Sequence, residues 1–512
     1  MTLQRLIFAS LLLCLTINAF SQELAEAIPE NALDPMQNRM DWMPVMLSAR
    51  SDVLLNAVTF NGGVFSWKLR GGQTNAIFVD GIHWSTAQGH WNSNDLFLGL
   101  QNALRTEAIV GNDAFSDIRY FNAGTLFYKS SFPFDAKKSW STQATISNKT
   151  YGNVFNLNYN SGWILNKWRY RMAGFAQWMP PATVAIGYKK SAGFLYSAER
   201  KISNTKSLQF SFAWNLNDQS KESTTVKEMY ALSGQRDYQP NWGWYHQAFF
   251  FPSTKQNNTA VLSLQYLNRI GEYQYLQFNN SIAMGKQGQT SLAWNNTADP
   301  RPDYYRYLPS YNQDSVLKLQ LTNWFIQHPS QLQMQFDAME KINKASIDHR
   351  SYYMVNQHWN QFFSWQGAFQ ISSPLFKNWN GKIGADYGLD YVHQYDQVKD
   401  LLGGAYYLNY NNWINEDGNT LSFQNDILHP DRKLVEGEKW GADYALFTVA
   451  IQPWMQINKQ GPRFEFYFGM GMGVLGFQRI GFNANGLAAN SKGVSTYKIY
   501  PSWNLKTQWL YK

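Results

Sequence analysis

The sequence predicts an all-β chain, a transmembrane antiparallel β-barrel of roughly 14 strands behind a small N-terminal α+β domain. Three observations carry this reading: an export leader, a composition rich in aromatics yet polar on average, and a two-residue hydrophobic beat that recurs through most of the chain.

The leader occupies residues 1–21. Arg5 precedes an apolar run from Leu6 to Phe20, and the small-x-small pattern Ala19-Phe20-Ser21 ends just before Gln22. The run is too short to span a bilayer, which takes ~20 residues. Cys14, the one cysteine, lies inside this segment, so the exported chain has no thiol and no disulfide framework. Lipid attachment at Cys14 would need small residues before it and the end of the apolar run, and neither is there. Residues 22–34 read as a periplasmic tail.

Composition narrows the class. With 21 Trp, 30 Tyr, 33 Phe and 16% charged residues, the chain is too aromatic to be disordered. Mean hydropathy is −0.43, and after Phe20 no apolar run approaches the ~18 residues of a membrane helix. The formal charge of +8 is spread along the chain without a basic cluster, so no nucleic-acid partner is expected.

Periodicity supplies the architecture, because a barrel strand alternates lipid-facing and lumen-facing side chains. Leu208, Phe210, Phe212, Trp214 and Leu216 interleave with Gln209, Ser211, Ala213, Asn215 and Asn217. The beat recurs at Leu332, Met334, Phe336 and Ala338, at Ile383 to Tyr391, and at Trp503 to Tyr511. Long polar excursions fall at 219–258, 285–313, 342–358, 395–441 and 477–493, with compact turns at Asn268 to Glu272, Gln327 to Ser330 and Asn458 to Pro462. Their alternation puts loops on one side of the membrane, and turns with both chain ends on the periplasmic side. The barrel is assigned to residues 136–512.

Residues 35–135 lack this rhythm. Phe65 to Leu69 and Ala76 to Val79 read as short strands, separated by Arg70-Gly71-Gly72 and closed by the turn Asp80-Gly81. A loop from His83 to Trp91 and a helix or turn near Asn94 to Leu104 follow. A small α+β domain ahead of a large barrel suggests a plug in its lumen.

At this point the chain resembles a TonB-dependent receptor of the outer-membrane, nutrient-importing branch. The plug carries Ser48-Ala49-Arg50-Ser51-Asp52, Trp67-Lys68-Leu69-Arg70-Gly71 and Ile77-Phe78-Val79-Asp80-Gly81-Ile82 in the family's order. The barrel carries the more specific run Ala298-Asp299-Pro300-Arg301-Pro302-Asp303-Tyr304-Tyr305-Arg306-Tyr307-Leu308-Pro309-Ser310-Tyr311, continued by Asp400-Leu401-Leu402-Gly403-Gly404. The resemblance implies an outer-membrane transporter in the lipid bilayer, the TonB energy-transducing complex and a surface lipoprotein as partners, and a small-molecule or oligomer nutrient (glycan, peptide or metal chelate) as cargo. It implies no cofactor. Family barrels have about 22 strands, so roughly 14 leave the barrel short of its closing part and make a truncated receptor an alternative. Residues 22–35 show no clear TonB-binding box.

Candidate solute contacts are Trp84, His90, Trp91, Trp242, Trp244 and Tyr245, whose rings suit stacking on a sugar or peptide. The competing reading makes them girdle or packing aromatics. Arg70, Gly71, Gly72, Asp80 and Gly81 are expected to hold the plug fold, the glycines at positive φ. His83 and His90 lack a closely spaced third ligand, so no metal is expected. No nucleophile motif supports an outer-membrane hydrolase, and a passive porin would not carry residues 35–135 as a separate domain.

Overall fold

The computed structural model describes residues 58–61, 64–69, 72–73, 77–83, 100, 105–109, 125–130, 137–146, 152–180 and 187–511, the last with breaks at 224, 236–237, 272–273, 413, 415–420 and 460. All of them belong to the unit Ser48–Lys512. The expected leader, residues 1–21, and the tail, 22–34, lie outside the described residues, as do Arg70, Gly71, Trp84, His90 and Trp91.

The N-terminal strands form two small sheets. One joins β1 (Val58–Asn61), β2 (Val64–Leu69) and β3 (Gly72–Gln73). The other has the order β5-β4-β7-β6, from β4 (Ile77–Val79), β5 (Ile82–His83), β6 (Arg105–Ile109) and β7 (Thr125–Lys129). The expected Asp80-Gly81 turn joins β4 to β5, with Val79 paired to Ile82. Both turn residues have positive φ, 53° at Asp80 and 80° at Gly81, as a two-residue hairpin whose twist matches its strands requires. Of the helix or turn expected at 94–104, only Leu100 is described; it lies in a turn and is buried.

The large sheet begins with β8 (Ser139–Thr145), β9 (Asn153–Asn160), β10 (Trp168–Met179), β11 (Lys189–Lys201) and β12 (Lys206–Ser220). A small hairpin, β13 (Gly243–Tyr245) and β14 (Ala248–Phe250), precedes β15 (Thr254–Arg269) and β16 (Tyr275–Trp294). After the short β17 (Met334–Gln335) come β18 (Tyr353–Phe376), β19 (Trp379–Asp400), β20 (Tyr407–Leu408) and β21 (Lys433–Leu434). The chain closes with β22 (Lys439–Lys459), β23 (Phe464–Gly481), β24 (Gly493–Val494) and β25 (Lys498–Tyr511). Thirteen of these make one sheet, ordered β24-β23-β22-β19-β18-β16-β15-β12-β11-β10-β9-β8 with β25 also on β23. The pairs within it are antiparallel, and β24 and β25 lie end to end along β23 as one wall position. Among the described residues β8 and β25 each pair on one side only, and both are exposed on both faces over nearly their whole length.

This wall is inside-out relative to a soluble protein. Along β12, Gln209, Ser211 and Asn215 are 4%, 5% and 0% exposed, whereas Phe210 and Trp214 are 38% and 40% exposed. The expected alternation is therefore present, with apolar side chains facing outward as a lipid-embedded barrel demands. Buried polar groups need partners, and several find them across neighbouring strands. Asn257 Nδ2 donates to Asn215 Oδ1 at 2.8 Å, the Ser191 hydroxyl to Asn217 Oδ1 at 2.6 Å, and the Ser263 and Ser281 hydroxyls meet at 2.6 Å. No helix among the described residues is long and apolar enough to cross a membrane.

Long and short connections alternate as expected. β15 to β16 and β22 to β23 turn within a few residues, whereas 221–253, 295–352 and 401–438 are long. One expectation fails. The alternation from Leu332 to Ala338 does not make a barrel strand, and the expected turn from Gln327 to Ser330 is no strand connection. The segment 295–352 is a single long loop with helices α2 (Ser315–Gln327) and α3 (Phe336–Lys344), which follow α1 (Lys227–Ser233) of the previous loop. Phe336, Met339 and Asn343 are its buried residues in α3, a helical spacing that overrides the two-residue beat once the chain passes Gln335. The excursions expected at 285–313 and 342–358 accordingly merge. Two strands fewer leave the parity intact, so β8 begins and β25 ends on the short-turn side.

Val79 of β4, Ile82 of β5 and Leu100 of the turn pack in one apolar cluster with Ala173, Phe175, Leu195, Ala213, Val261 and Ala283 from the inner face of the wall. Polar bonds accompany this packing. Ser130, just after β7, accepts at its hydroxyl oxygen from Gln209 Nε2 (2.9 Å) and Gln265 Nε2 (3.1 Å), and Asn279 Nδ2 donates to the Asp80 carbonyl.

Candidate functional site

The three long connections gather at one end of the wall into a layer with its own cores. Met229 and Leu232 of α1 pack with Phe325 of α2, Tyr238, Leu308 and Leu332. A second core joins Met334, Phe336 and Met339 to Tyr353, Val355 and Leu402, with Tyr245 and Phe250 against it.

The hairpin β13–β14 is laid on this second core through β17, to which β13 runs parallel. The Met334 N–H donates to the Trp242 carbonyl at 3.1 Å. Gly243 is required here, since a Cβ would stand 2.0 Å from the Met334 carbonyl oxygen. At the tip, His246 and Gln247 both have positive φ, 50° and 65°, in positions that Asn and Gly fill more easily.

The expected solute-contact residues separate by environment. Trp242 is buried, edge-on to Trp244 at 6.0 Å and tilted against Phe249 at 5.3 Å, which makes it a packing residue. Trp244 rests on Phe249 at 4.4 Å and leaves 43% of its surface exposed. Tyr245 is half-buried, edge-on to Phe250 at 5.3 Å. Of the expected plug-motif residues, Asp80 and Gly81 form the tight turn, and Gly72 starts β3.

The quoted loop run 298–311 is a folded unit. The Arg301 guanidinium clasps the Asp299 carboxylate, Nε to Oδ1 at 2.9 Å and to Oδ2 at 3.2 Å and Nη2 to Oδ2 at 2.6 Å. The Tyr307 hydroxyl donates to the Asp299 carbonyl at 2.9 Å, and Tyr353 donates to the Ala298 carbonyl at 2.8 Å. Tyr304, Tyr305, Tyr307 and Tyr311 meet edge to face between 4.8 and 5.5 Å. The second run, near 400, ends in a turn where Asp400 Oδ1 accepts the Leu402 N–H at 2.7 Å.

Sequence reading missed two features of this layer. Asn343 is fully buried, with its amide nitrogen 2.9–3.0 Å from the carbonyls of Tyr353, Leu401 and Leu402, while its oxygen accepts from the N–H groups of Tyr352 and Tyr353. It clips α3 to a strand and to the next loop. The other is a convergence of His246, Asp337 and Glu340, whose possible ligand atoms lie within 4.8 Å of one another. His246 precedes Asp337 by 91 residues, so no spacing motif announces it. Glu340 is held below the usual carboxylate range by the Lys344 ammonium at 2.7 Å and by His246. Burial, then the charges of Glu340, Asp400, Asp337 and Glu436, push the Tyr245 hydroxyl up to about 12.

No family model matches the sequence, and no curated protein matches it. Solved structures do match. The ferric citrate transporter FecA in its unliganded form aligns with TM-score 0.54 and 7% identity, over 89% of this chain and 56% of its own. The barrel fold is shared with FecA. The open form of the ferric-catecholate import receptor Fiu from E. coli K12 aligns with TM-score 0.49 and 12% identity, over 89% of this chain and 63% of Fiu. The copper transporter OprC aligns with TM-score 0.48 and 10% identity, over 87% and 55%. The chain thus spans between 55% and 63% of the length of these three proteins.

Proposed function

We propose that the chain is an outer-membrane receptor that imports a nutrient past a plug by an energy-coupled rearrangement driven through the TonB complex. The observation that supports this most is the seat of the β4–β7 sheet against the inner wall. Several of its bonds to the wall run through neutral side chains, Ser130 with Gln209 and Gln265 and the Asp80 carbonyl with Asn279. Such contacts are replaceable by water at about 0.5–1.5 kcal/mol each, which suits a stopper that must shift and reseat. The loop layer is the proposed capture surface, with Trp244 and Tyr245 offering aromatic faces to the cargo. Trp84, His90 and Trp91 are proposed to face the same cargo from the plug. A glycan, a peptide or a metal chelate suits such a surface, and a surface lipoprotein capping it is part of the proposal.

Uptake measurements test this reading. Transport of the cognate solute should stop when the proton-motive force is collapsed, and uptake that persists would turn the reading to a passive pore. The one-sided pairing of β8 and β25 favours a second reading, a wall completed by strands from outside the described sheet. Fast hydrogen exchange at both strands would leave the wall open at its edges, and protection would show those edges paired.

A further inference from the structure

We propose that His246, Asp337 and Glu340 form a divalent transition-metal site in the loop layer, of the Zn²⁺ class. This goes beyond the transport reading and does not depend on it. The three side chains offer one imidazole nitrogen and two carboxylate oxygens, a donor set that suits zinc and leaves a coordination position open. Ligand atoms about 2.0–2.1 Å from a common ion stand roughly 3.3 Å apart in a tetrahedron. Here His246 Nε2 is already 2.9 Å from Glu340 Oε2, and all three donors fall within 4.8 Å. Small rotations of the exposed His246 ring close the rest.

The local backbone presents these donors. Asp337 and Glu340 sit three apart in the first turns of α3 and so share a face. The tip of the β13–β14 hairpin carries His246 over that face, where its backbone N–H donates to Asp337 Oδ1 at 3.1 Å. His246 and Gln247 both take the positive φ that a two-residue hairpin turn requires. Lys344 pairs with Glu340 Oε1 at 2.7 Å, which leaves Oε2 toward His246. A bound ion would pin the hairpin of one loop to the helix of the next, with its open position facing solvent for water or a chelating group of a solute.

The full chain, purified in detergent, is titrated with Zn²⁺ alone in competition with a chromophoric chelator. One equivalent should bind at micromolar or tighter dissociation constant. His246→Asn, which suits positive φ, and Asp337→Asn should each weaken binding at least tenfold. His429→Asn, removing an exposed histidine that has Asp426 as its carboxylate partner at 2.8 Å, should leave it unchanged. Heat-modifiable migration on gels confirms that each variant is folded. No saturable binding by the parent chain, or parent-like binding by both His246→Asn and Asp337→Asn, overturns the proposal.

Discussion

The Asp80 carboxylate accepts two hydrogen bonds from Ser130, one from its N–H and one from its hydroxyl, both at 2.7 Å and across 50 residues of sequence. This pair locks the β4–β5 turn to the end of β7. It also orients the Ser130 hydroxyl so that its lone pairs receive Gln209 and Gln265 from the wall. A motif residue of the turn thereby controls how the small sheet meets the barrel.

Removing that carboxylate should loosen the small sheet before it harms the wall. Asp80→Ala forfeits two buried hydrogen bonds, at roughly 0.5–1.5 kcal/mol each before relaxation. Amide exchange at 77–83 and 125–130 should rise by at least tenfold while β18 and β19 stay protected. Equal loss of protection throughout would show that the sheet and the wall are one cooperative unit.

The two faces of β12 should respond oppositely to polarity. Phe212→Arg places a charge against lipid and should cost roughly 2–4 kcal/mol in vesicles, judged by urea unfolding. Phe212→Leu should cost less than half of that. Asn215→Leu strips a partner from Asn257 on the buried side and should cost about 1–3 kcal/mol, although it makes the chain more apolar.

Asn343→Ala should release the loop layer. It unpairs carbonyls and N–H groups on β18 and the 401–402 turn together, a loss of roughly 3 kcal/mol if one or two of these stay dry. Limited proteolysis should then cut within 336–352 and near 401 under conditions that spare the parent. A parent-like digest would assign the clip no more than a local role.

Acid should open the same layer at a definite pH. The Ser346 and Tyr406 hydroxyls and the Arg350 N–H hold the Asp348 carboxyl down to about 2. A depressed carboxyl stabilises above its unfolded value and loses that contribution as pH falls through the folded one. Pepsin cleavage within 344–352 should therefore stay slow near pH 4 and accelerate between about pH 3.8 and 2. Asp348→Ala should already be cut at pH 4, with no further step.

The open sides of β8 and β25 give another measurable contrast. Among the described residues neither strand has a second neighbour in the sheet, so their amides should exchange far faster than those of β16, β18 or β19. Protection of β8 and β25 at the level of β18 would mean that the edges are paired, by each other or by another chain.

Much of the barrel was legible because its chemistry repeats. The Leu208 to Asn217 alternation is long enough to exceed chance, and the lipid face leaves Phe210 and Trp214 exposed where a soluble sheet would bury them. Leu332 to Ala338 misleads because its beat lasts too briefly: Leu332, Met334 and Phe336 are all buried, but in the two loop cores, and Met339 and Asn343 then continue on a helical period. The Asp80-Gly81 turn was readable from local turn chemistry. Asn343 and the His246, Asp337 and Glu340 cluster were not, because tertiary contacts between separate loops create them. Trp242 reads as a ligand-stacking ring from its sequence neighbours alone, and only its burial against Trp244 and Phe249 shows it to be a packing residue.

Nitroxide accessibility along β12 tests the two-sided wall most directly. In a background without Cys14, single cysteines from position 208 to 217 are spin-labelled in lipid vesicles. Collision with oxygen, which partitions into lipid, should peak at 208, 210, 212, 214 and 216 and fall at the residues between, a period of two across the whole strand. Uniform accessibility, or maxima at 209, 211, 213, 215 and 217, would contradict a wall that is apolar outside and polar within.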